Sequence, residues 1–472
     1  MVAIPFPVTS SPGARPQEGA GRLINAYAVR TEQGAVTPLK WARSPGLRQL
    51  AAAAGSGYRG FIEINGSVIA VLRDRAVLLT RSGTLHAVTD LGALSGAGLV
   101  TIARNNASPP HIVAVTENGA FNLFADSAPT DFADADLPQP ISVCNVKGYF
   151  AFVIADGRIF ASDLNSVSVN ALGYTTAPAA LLRGVSYRDQ LFAFGADFCQ
   201  VYADRGLTPF PLELQTTIPI GLAGTHAAAG FEPGFSGTLI FAAQDDRVYR
   251  LNGYTPEPVS TEDVSRDIAA TPDKSVLEAS VYMASGNAFW TLTRPGHWTW
   301  EFNQTTGTWN ERKSYGAACW RVARTIKAFS TWVAGDRDSG TAFEISATAY
   351  REGDDPLVFE VISGAVAAFP ARLSVPRLDV NMAAAVGVAA GEDPVETDPR
   401  VEIKWSRDGG YRYGVPVWRA IGREGEGARS VSVNRLGLCG PKGYRFHFRV
   451  SDPVPVTLFG AELGGVETRA AG

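Results

Sequence analysis

The chain of 472 residues has few charged residues, few cysteines and few histidines. Charged side chains make up 19% of the sequence and leave a formal net charge of −4, which gives no sign of the basic surface typical of nucleic-acid-binding proteins. The four cysteines are far apart and contain no C-x-x-C pair, which argues against a zinc site or a disulfide framework. We expect reduced, small core residues at Cys144, Cys199, Cys319 and Cys439.

The five histidines also lack the spacing of a metal site or of a histidine-activated nucleophile. They are His86, His111, His226, His297 and His447. The longest uncharged stretch, residues 214–231, contains Gln, Thr, Pro, Gly and His, so no membrane span is expected. The first residues have no cationic segment, and prolines interrupt their apolar stretch, so no secretory signal is expected there. We therefore expect synthesis in a cytoplasm.

Long amphipathic helical patterns are missing as well, and the best helix candidates are the short segments 47–54 and 272–279. In their place a β-unit recurs about every 45 residues between positions 58 and 345. In each copy, short β-branched or aromatic runs flank a turn that accepts a positive φ. These turns include Asn65-Gly66, Asn118-Gly119, Asp156-Gly157 and Asp245-Asp246. Repeated hairpins at this spacing predict an all-β fold, a β-propeller of six or seven blades.

Three segments follow from this pattern. Residues 1–50 form an N-terminal arm with strands at 23–29 and 35–42, a turn at 32–34, and a strand that closes the propeller ring. Residues 51–350 form the propeller, and residues 351–472 form an additional C-terminal, β-sandwich-like domain. Within it, residues 401–463 alternate strongly and should fold apart from the propeller, with large aromatic core anchors. The expected anchors are Trp405, Trp418, Phe446 and Phe448.

Five features of the sequence bear on possible chemistry. The run from Ser406 to Tyr413 fits an Asp box, S-x-D-x-G-x-x-aromatic, which is a structural turn even in propeller enzymes. A glycosidase needs two facing carboxylates, and nothing in the sequence pairs the available ones. Examples are Glu63, Asp189, Glu301 and Glu344. Glycines occur at positions 55, 57 and 60, at a spacing similar to that of a phosphate-binding loop. Their segment does not lie between a strand and a long helix and lacks the lysine of such a loop, so it predicts a blade turn.

The acidic loop at residues 391–398 lacks the carboxylate spacing of a calcium loop and is interpreted as a solvated loop. A tryptophan cluster could instead form a sugar-stacking face, although such rings in hairpins more often form blade core. Its members are Trp290, Trp298, Trp300, Trp309 and Trp320. We therefore assign no catalytic, cofactor-binding or metal-binding residues and expect no cofactor.

Four groups of segments, taken in order, resemble a known family. The segments are Asn25-Ala26-Tyr27 with Ser44-Pro45-Gly46-Leu47; Val259-Ser260-Thr261 with Val264 and Ile268; Trp298–Phe302 with Thr306–Arg312; and 401–410, 434–437, 445–453 and 460–461. This pattern resembles the tail-hub, or nozzle, proteins of short-tailed bacteriophages, also called packaged-DNA stabilisation proteins. In that family, six copies form a ring below the portal and its adaptor.

The resemblance implies a structural virion protein of the phage tail, not an enzyme. It would be one subunit of a homohexameric nozzle that continues the DNA channel and retains packaged DNA until ejection. The implied partners are other copies of the chain, the portal and adaptor, a tail needle or plug, tail fibres or spikes, and DNA that passes without sequence-specific binding. Two alternatives remain open: a tail-associated propeller glycosidase, and a receptor-binding protein acting on host envelope sugars.

Overall fold

The structure, a computed structural model, describes residues 1–32, 35 and 37–470. It divides into two compact units. The propeller unit contains residues 49–295 and 321–345, and the sandwich unit contains residues 1–48, 296–320 and 346–472. No helix in the described part is long and apolar enough to cross a membrane.

The elements are given in chain order. The first strands are β1 (Val2–Ala3), β2 (Arg22–Ile24), β3 (Ala26–Arg30), β4 (Leu39–Arg43) and β5 (Gly46–Ala52). The next are β6 (Tyr58–Ile64), β7 (Ser67–Leu72), β8 (Arg75–Thr80), β9 (Ala87–Ala93), β10 (Thr101–Arg104), β11 (Ile112–Thr116), β12 (Gly119–Leu123), β13 (Thr130–Asp131), β14 (Ser142–Val146), β15 (Tyr149–Val153), β16 (Arg158–Ser162) and β17 (Val169–Thr176). Then follow β18 (Leu181–Tyr187), β19 (Gln190–Gly195), β20 (Cys199–Asp204), β21 (Leu212–Ile218), β22 (Ala228–Ala229), β23 (Ile240–Ala242), β24 (Val248–Asn252), β25 (Thr255–Pro258) and helix α1 (Glu262–Ala269).

The remaining strands up to residue 362 are β26 (Glu278–Ala284), β27 (Asn287–Arg294), β28 (Trp298–Asn303), β29 (Thr308–Glu311), β30 (Val322–Ala328), β31 (Thr331–Asp336), β32 (Thr341–Ser346), β33 (Arg351–Glu352), β34 (Asp355–Pro356) and β35 (Phe359–Ile362). The last are β36 (Arg372–Met382), β37 (Arg400–Ser406), β38 (Val417–Ala420), β39 (Val431–Leu438), β40 (Arg445–Val450), β41 (Thr457–Gly464) and β42 (Glu467–Arg469).

The propeller unit consists of antiparallel blades built from consecutive strands. Five four-stranded sheets follow one another: β6–β9, β10–β13, β14–β17, β18–β21 and β22–β25. A sixth sheet runs β30–β31–β32–β5, and the hairpin β26–β27 lies before it in the chain. The first strands of neighbouring blades contact each other, and β30 contacts β6. The propeller prediction is therefore confirmed.

Ring closure explains one wrong prediction. Residues 47–54, expected as a helix, form most of β5, which pairs beside β32 in the last sheet. The alanines of LRQLAAAA favour a helix locally, but pairing with an open blade edge satisfies the backbone hydrogen bonds of the strand. The early strand thus has the ring-closing position that was expected for the N-terminal arm.

The predicted tight turns are present. Asn65 has a φ of +48° and Gly66 a φ of +80° between β6 and β7. Asp246 has a φ of +69° between β23 and β24. Such left-handed backbone is accessible to glycine and, among other residues, mainly to Asn and Asp, so these positions determine where each hairpin reverses. The predicted turn at 32–34 lies partly outside the described residues.

Hydroxyl groups link neighbouring blades near the axis. Thr101 Oγ1 accepts a hydrogen bond from the Val143 amide at 3.0 Å, and Ser142 Oγ accepts one from the Gly184 amide at 2.9 Å. The paired residues are 42 positions apart in both cases. Thr325 Oγ1 donates to a carbonyl of β26 from 44 positions away. The blade repeat is therefore set by this pairing of innermost strands as well as by the turns.

Helix α1 was missed by the sequence analysis because it has only eight residues. Thr261 caps its N-terminus by accepting from the Val264 amide, and Val264 and Ile268 are buried. These residues belong to the second group of resemblance segments, which therefore marks a capped helix. The predicted helix at 272–279 is instead a 3₁₀ turn, Lys274–Val276, followed by β26.

The sandwich unit has two sheets around one core. One sheet runs β3–β4–β41–β36–β39, with β1 paired to β41 and β42 paired to β36. The other runs β28–β29–β2–β35–β40–β37–β38 within this unit. Residues from both sheets form one buried cluster, including Leu23, Phe359, Leu378, Phe448 and Leu463. Two faces that share one apolar core define a β-sandwich.

The units divide the chain differently from the three-segment prediction (1–50, 51–350 and 351–472). Residues 401–463 lie in the sandwich unit, where they share sheets with the N-terminal segment and with residues 298–311. The reason is strand pairing over long sequence distances: β4 pairs with β41, and β2 pairs with β35 and β29. Local alternation predicts strands but not their partners.

Of the four expected core anchors, Phe446 and Phe448 are fully buried and Trp405 is partly buried against the core. The prediction for Trp418 is wrong, because its side chain is 46% exposed. It lies on β38, the last strand in its sheet, where Val417 packs toward the core and the next side chain points away.

Candidate functional site

Three of the resemblance segments converge in the sandwich unit. They are the Asn25 segment, the Pro45-Gly46 bend and the Trp309–Arg312 segment, and Arg312 lies 287 positions after Asn25 in the sequence. We call the buried group around Arg312 the arginine junction; its members are Asn25, Pro45, Glu301, Asn310, Arg312, Ser314, Trp320 and Glu352.

Asn25 holds the junction to the N-terminal strands. Its φ of +49° interrupts the strand that was predicted at 23–29, so that β2 enters one sheet and β3 the other. Its side-chain amide donates to the carbonyls of Lys313 at 2.8 Å and Val358 at 2.9 Å. Its side-chain oxygen accepts from the Lys313 amide at 3.0 Å. A short polar side chain that tolerates left-handed backbone fits this position.

Arg312 lies at the centre of the junction and is fully buried. Its guanidinium lies 3.8 Å from Glu301 and 3.5 Å from Glu352, both of which are also fully buried. It donates to the Pro45 carbonyl at 3.1 Å, and its Cζ lies 4.5 Å from the ring centroid of Trp320. This arrangement compensates a buried cation with carboxylates, a carbonyl and an aromatic face.

The two junction glutamates are tied to further partners. Glu301 accepts from the Asn310 side chain at 2.8 Å. Glu352 accepts from Ser314 Oγ at 2.5 Å and from the Trp320 indole N–H at 2.9 Å. Because these carboxylates are fully buried and already bonded, they do not present a surface to a substrate. The geometry is that of a structural clamp between distant segments of the chain.

The structure places the other proposed carboxylates apart in the propeller unit. Glu63 accepts from the Gly66 amide at 2.7 Å and pairs with Arg104 at 3.3 Å. Asp189 lies in a tight turn with a φ of +60°. Glu344 accepts from Thr331 on the neighbouring strand at 3.1 Å. Each has a separate local partner or turn, and none of these contacts joins two of them as a catalytic pair.

The Asp box is a turn, as predicted. Asp408 Oδ1 accepts from Ser406 Oγ at 2.6 Å and from the amides of Tyr411 and Arg412 at 3.0 Å each. Burial alone would raise the pKa of Asp408, but these hydrogen bonds outweigh it and hold the pKa below its ordinary value. The aromatic of the motif, Tyr413, packs edge-on against His447.

The acidic loop is bound to Arg351 by its own carboxylates. Glu392 lies 2.8 Å and Glu396 lies 3.8 Å from the guanidinium of that arginine. In the part of the chain that the structure describes, no three His, Cys, Asp or Glu residues are grouped so that they could hold a metal ion. The four cysteines are free and buried, which agrees with their expected role as core residues.

The histidines have different individual environments. His111 bonds to Asn105, and His447 lies 3.0 Å from Glu360. His86 packs edge-on against Phe329, and His297 is exposed. The fifth, His226, lies in the interior of the propeller unit.

The tryptophans are core residues rather than a sugar-binding face. Trp290, Trp300, Trp309 and Trp320 are at most 2% exposed, and Trp298 is partly buried. A sugar-stacking platform requires exposed ring faces, which these side chains do not offer.

A cavity of about 440 Å³ lies at the innermost strands of the propeller unit. Its walls come from the first strands of several blades and from the loop after β22, and the lining residues are 60–63, 100–104, 143–145, 183–186, 231–233 and 324–327. Gly60, which was assigned to a blade turn, therefore lies on the inner face of β6. We call this space the axial cavity. Its size falls within the range of about 300–1,000 Å³ typical of small-molecule sites.

Charged side chains in the axial cavity are candidate functional residues that the sequence patterns did not indicate. Arg183 is 7% exposed and donates to the carbonyls of Thr225 at 3.1 Å and Ala228 at 3.4 Å. Burial, followed by the positive charge of Arg324, lowers the pKa of Arg183 to about 10. Burial raises the pKa of Glu232, against the opposing effect of both arginines. The only sequence signal was an arginine within an apolar strand pattern.

His226 lies close to these charges. Burial and then the charges of Arg324 and Arg183 lower its pKa well below the ordinary value, so the imidazole is neutral near pH 7. Burial also raises the pKa of the Cys144 thiol to about 12, so this cysteine is not a thiolate nucleophile.

Comparisons with known structures show only general likeness. The WD40 β-propeller domain of Doa1 is 10% identical, with 64% of this chain and 97% of that chain covered at a TM-score of 0.42. PorZ, a bacterial surface component of the type-IX secretion system of Porphyromonas gingivalis, is 12% identical, with 70% and 44% covered at a TM-score of 0.39. With TM-scores below 0.5, neither likeness bears on function. No curated protein sequence matches the chain.

The comparison with protein families is decisive. Residues 23–350 match the family described as Bacteriophage P22 Gp10, beta-propeller, whose name denotes phage stabilisation. This match covers more than half of the chain and includes three of the four groups of resemblance segments. The chain therefore belongs to this family and is a phage structural protein built around a β-propeller.

Proposed function

We propose that this chain is one subunit of a homohexameric tail nozzle that continues the DNA channel below the portal and adaptor and retains packaged DNA until ejection. The observation that carries the proposal is the family match over residues 23–350. In this role the chain needs a rigid scaffold and contact surfaces rather than a catalytic site. The clamped arginine junction and the separated carboxylates fit that requirement.

The sandwich unit offers an edge for contacts between subunits. Strand β38 is the last strand of its sheet, and the apolar side chains of Val415 and Trp418 beside it are 84% and 46% exposed. An exposed edge with apolar side chains favours pairing with another chain. We propose that this edge forms the head-to-tail contact of a closed six-fold ring. The portal and adaptor, a needle or plug, and fibres or spikes complete the set of proposed partners.

The charge of the chain suits passage of DNA without a grip on its phosphates. Six copies with a net charge of −4 each carry about −24. We propose a neutral or acidic lumen with arginine and lysine kept at subunit contacts, because phosphate contacts would add salt-dependent resistance to ejection. A continuous stripe of basic side chains along the bore of an assembled ring would contradict this part.

The test is assembly of the full-length protein with a double substitution at the exposed edge, Val415→Asp with Trp418→Asp. We expect the wild-type chain to give six-fold density in cryo-EM of the assembled tail and the double variant to stay outside the tail while melting normally. Leu85→Asp, at a residue 55% exposed on the propeller unit, is the matched control and should assemble. Five-fold or twelve-fold density at this level would refute the hexamer, and infectious particles containing the double variant would refute the proposed contact.

A further inference from the structure

The axial cavity contains buried positive charge that exceeds its negative charge. Six acidic or basic side chains line it: Glu63, Arg104, Arg183, Glu232, Arg324 and Lys327. Glu63 and Arg104 neutralise each other in an ion pair of 3.3 Å. This leaves three cations against one carboxylate. Lys327 is exposed, but Arg183 is buried and Arg324 is partly buried.

The two arginines are incompletely satisfied by the chain. Within the described residues, Arg183 Nε and Arg324 Nη2 are buried and have no hydrogen-bond partner. Arg183 donates hydrogen bonds to the carbonyls of Thr225 and Ala228, and Arg324 donates one to the carbonyl of Ala279 at 2.7 Å. A buried guanidinium nitrogen without an acceptor is costly, and a guanidinium group is the side chain best suited to binding an oxyanion.

Backbone irregularities place both arginines at the same position of their strands. In β18 the pairing with β19 shifts between Leu181 and Arg183, and in β30 the pairing with β31 shifts between Val322 and Arg324. In β6 an equivalent shift precedes Gly60, which occupies the corresponding position without a side chain. Such β-bulges turn a side chain from its regular direction and are common beside binding sites.

We propose that the axial cavity binds a small, multiply charged oxyanion of the phosphate type between Arg183 and Arg324. The anion accepts hydrogen bonds from the two guanidinium groups and offsets their mutual repulsion. Glu232 sets the affinity, because its carboxylate competes for the same positive charge. The proposal concerns the isolated chain and does not depend on its role in the tail.

The first measurement is calorimetric titration of the full-length protein with inorganic phosphate at pH 7.5 and constant ionic strength. We expect saturable binding with one site per chain. Arg324→Met should weaken binding about tenfold or more, because a hydrogen bond to a charged group is lost. Glu232→Gln should tighten binding several-fold by removing the competing charge. Arg205→Met, which removes an exposed surface arginine, is the control for net charge and should bind as the wild type does.

Arg183→Met is informative only if it folds, because Arg183 also holds two carbonyls of the neighbouring blade. If Arg183→Met does not fold, Glu232→Gln still tests the proposal, since it leaves both guanidinium groups in place and predicts a gain of affinity.

Titration with adenosine monophosphate in parallel distinguishes a free ion from a phosphate carried by a larger metabolite. The ligand that binds more tightly identifies the source. The absence of binding of both ligands to the wild type, or equal affinity in wild type, Arg324→Met and Glu232→Gln, would overturn the proposal.

Discussion

Substitution of Arg312 by methionine tests whether the arginine junction holds the sandwich unit together. Methionine keeps much of the length of the side chain but removes its charge. Glu301 and Glu352, both fully buried, would then lose their shared cation. The Pro45 carbonyl would lose a donor, and Trp320 would lose the cation over its ring.

The expected cost follows from these losses. Removing one partner of a buried ion pair costs about 3–5 kcal/mol, because the remaining charge stays buried without compensation. The sandwich unit has about 200 residues. For a domain of that size, 1 kcal/mol shifts the melting temperature by about 2–4 °C, so the loss should be about 6–20 °C.

Differential scanning calorimetry of the full-length variant measures this shift. The melting temperature of the sandwich unit in the variant is compared with that in the wild type. Arg377→Met is the matched control, because its ion pair with Asp379 is exposed on the same unit and should contribute at most about 1 kcal/mol. If Arg312→Met melted within 2 °C of the control, the junction would not be a clamp.

Five further substitutions test single features, each by denaturant unfolding of the full-length chain. Asn25→Ala should cost about 3–4 kcal/mol from left-handed strain and three lost hydrogen bonds. Ser142→Ala should cost about 1–3 kcal/mol, because an amide of the next blade loses its acceptor. Trp418→Ala should change stability by less than about 1 kcal/mol, whereas Phe448→Ala should cost about 3–5 kcal/mol; equal effects would contradict the assigned edge position. Asp408→Ala should cost about 1–2 kcal/mol at pH 7. Since the native pKa of Asp408 is depressed, this difference should shrink as the pH falls below about 4, and a pH-independent difference would contradict the turn geometry.

Hairpins were predictable from the sequence because their signal is local. A pair such as Asn65-Gly66 accepts positive φ angles, and the apolar runs on either side alternate with the period of a strand. The same local reasoning failed for residues 47–54, where an alanine-rich segment became the closing strand β5. It also failed for Trp418, because alternation identifies two faces of a strand but not which face is covered.

The arginine junction and the axial cavity could not be derived from local patterns. Arg312 meets Pro45 from 267 positions away, and this contact depends on which strands become neighbours in the sandwich unit. The direction of Arg183 depends on one register shift between β18 and β19. One extra residue in a strand exchanges the side chains that face the propeller axis with those that face away from it. Neither composition nor residue spacing shows at which position of the strand such a bulge occurs.

The two buried arginine sites differ in the way their charge is balanced, and that difference separates scaffold from binding site. At Arg312 the chain itself provides two carboxylates within 4 Å, so the charge is compensated in the folded protein. At Arg183 and Arg324 the hydrogen bonds go to neutral carbonyls, and within the described residues the charges of Glu232 and, at Arg324, of Glu278 act without a direct ion pair. A fold that needed only stability would be expected to replace the cavity arginines by apolar residues, since unpaired buried charge is destabilising. Both arginines also bond carbonyls of the neighbouring blade, so the affinity of the Glu232→Gln and Arg324→Met variants for phosphate separates a ligand-binding role from a structural one.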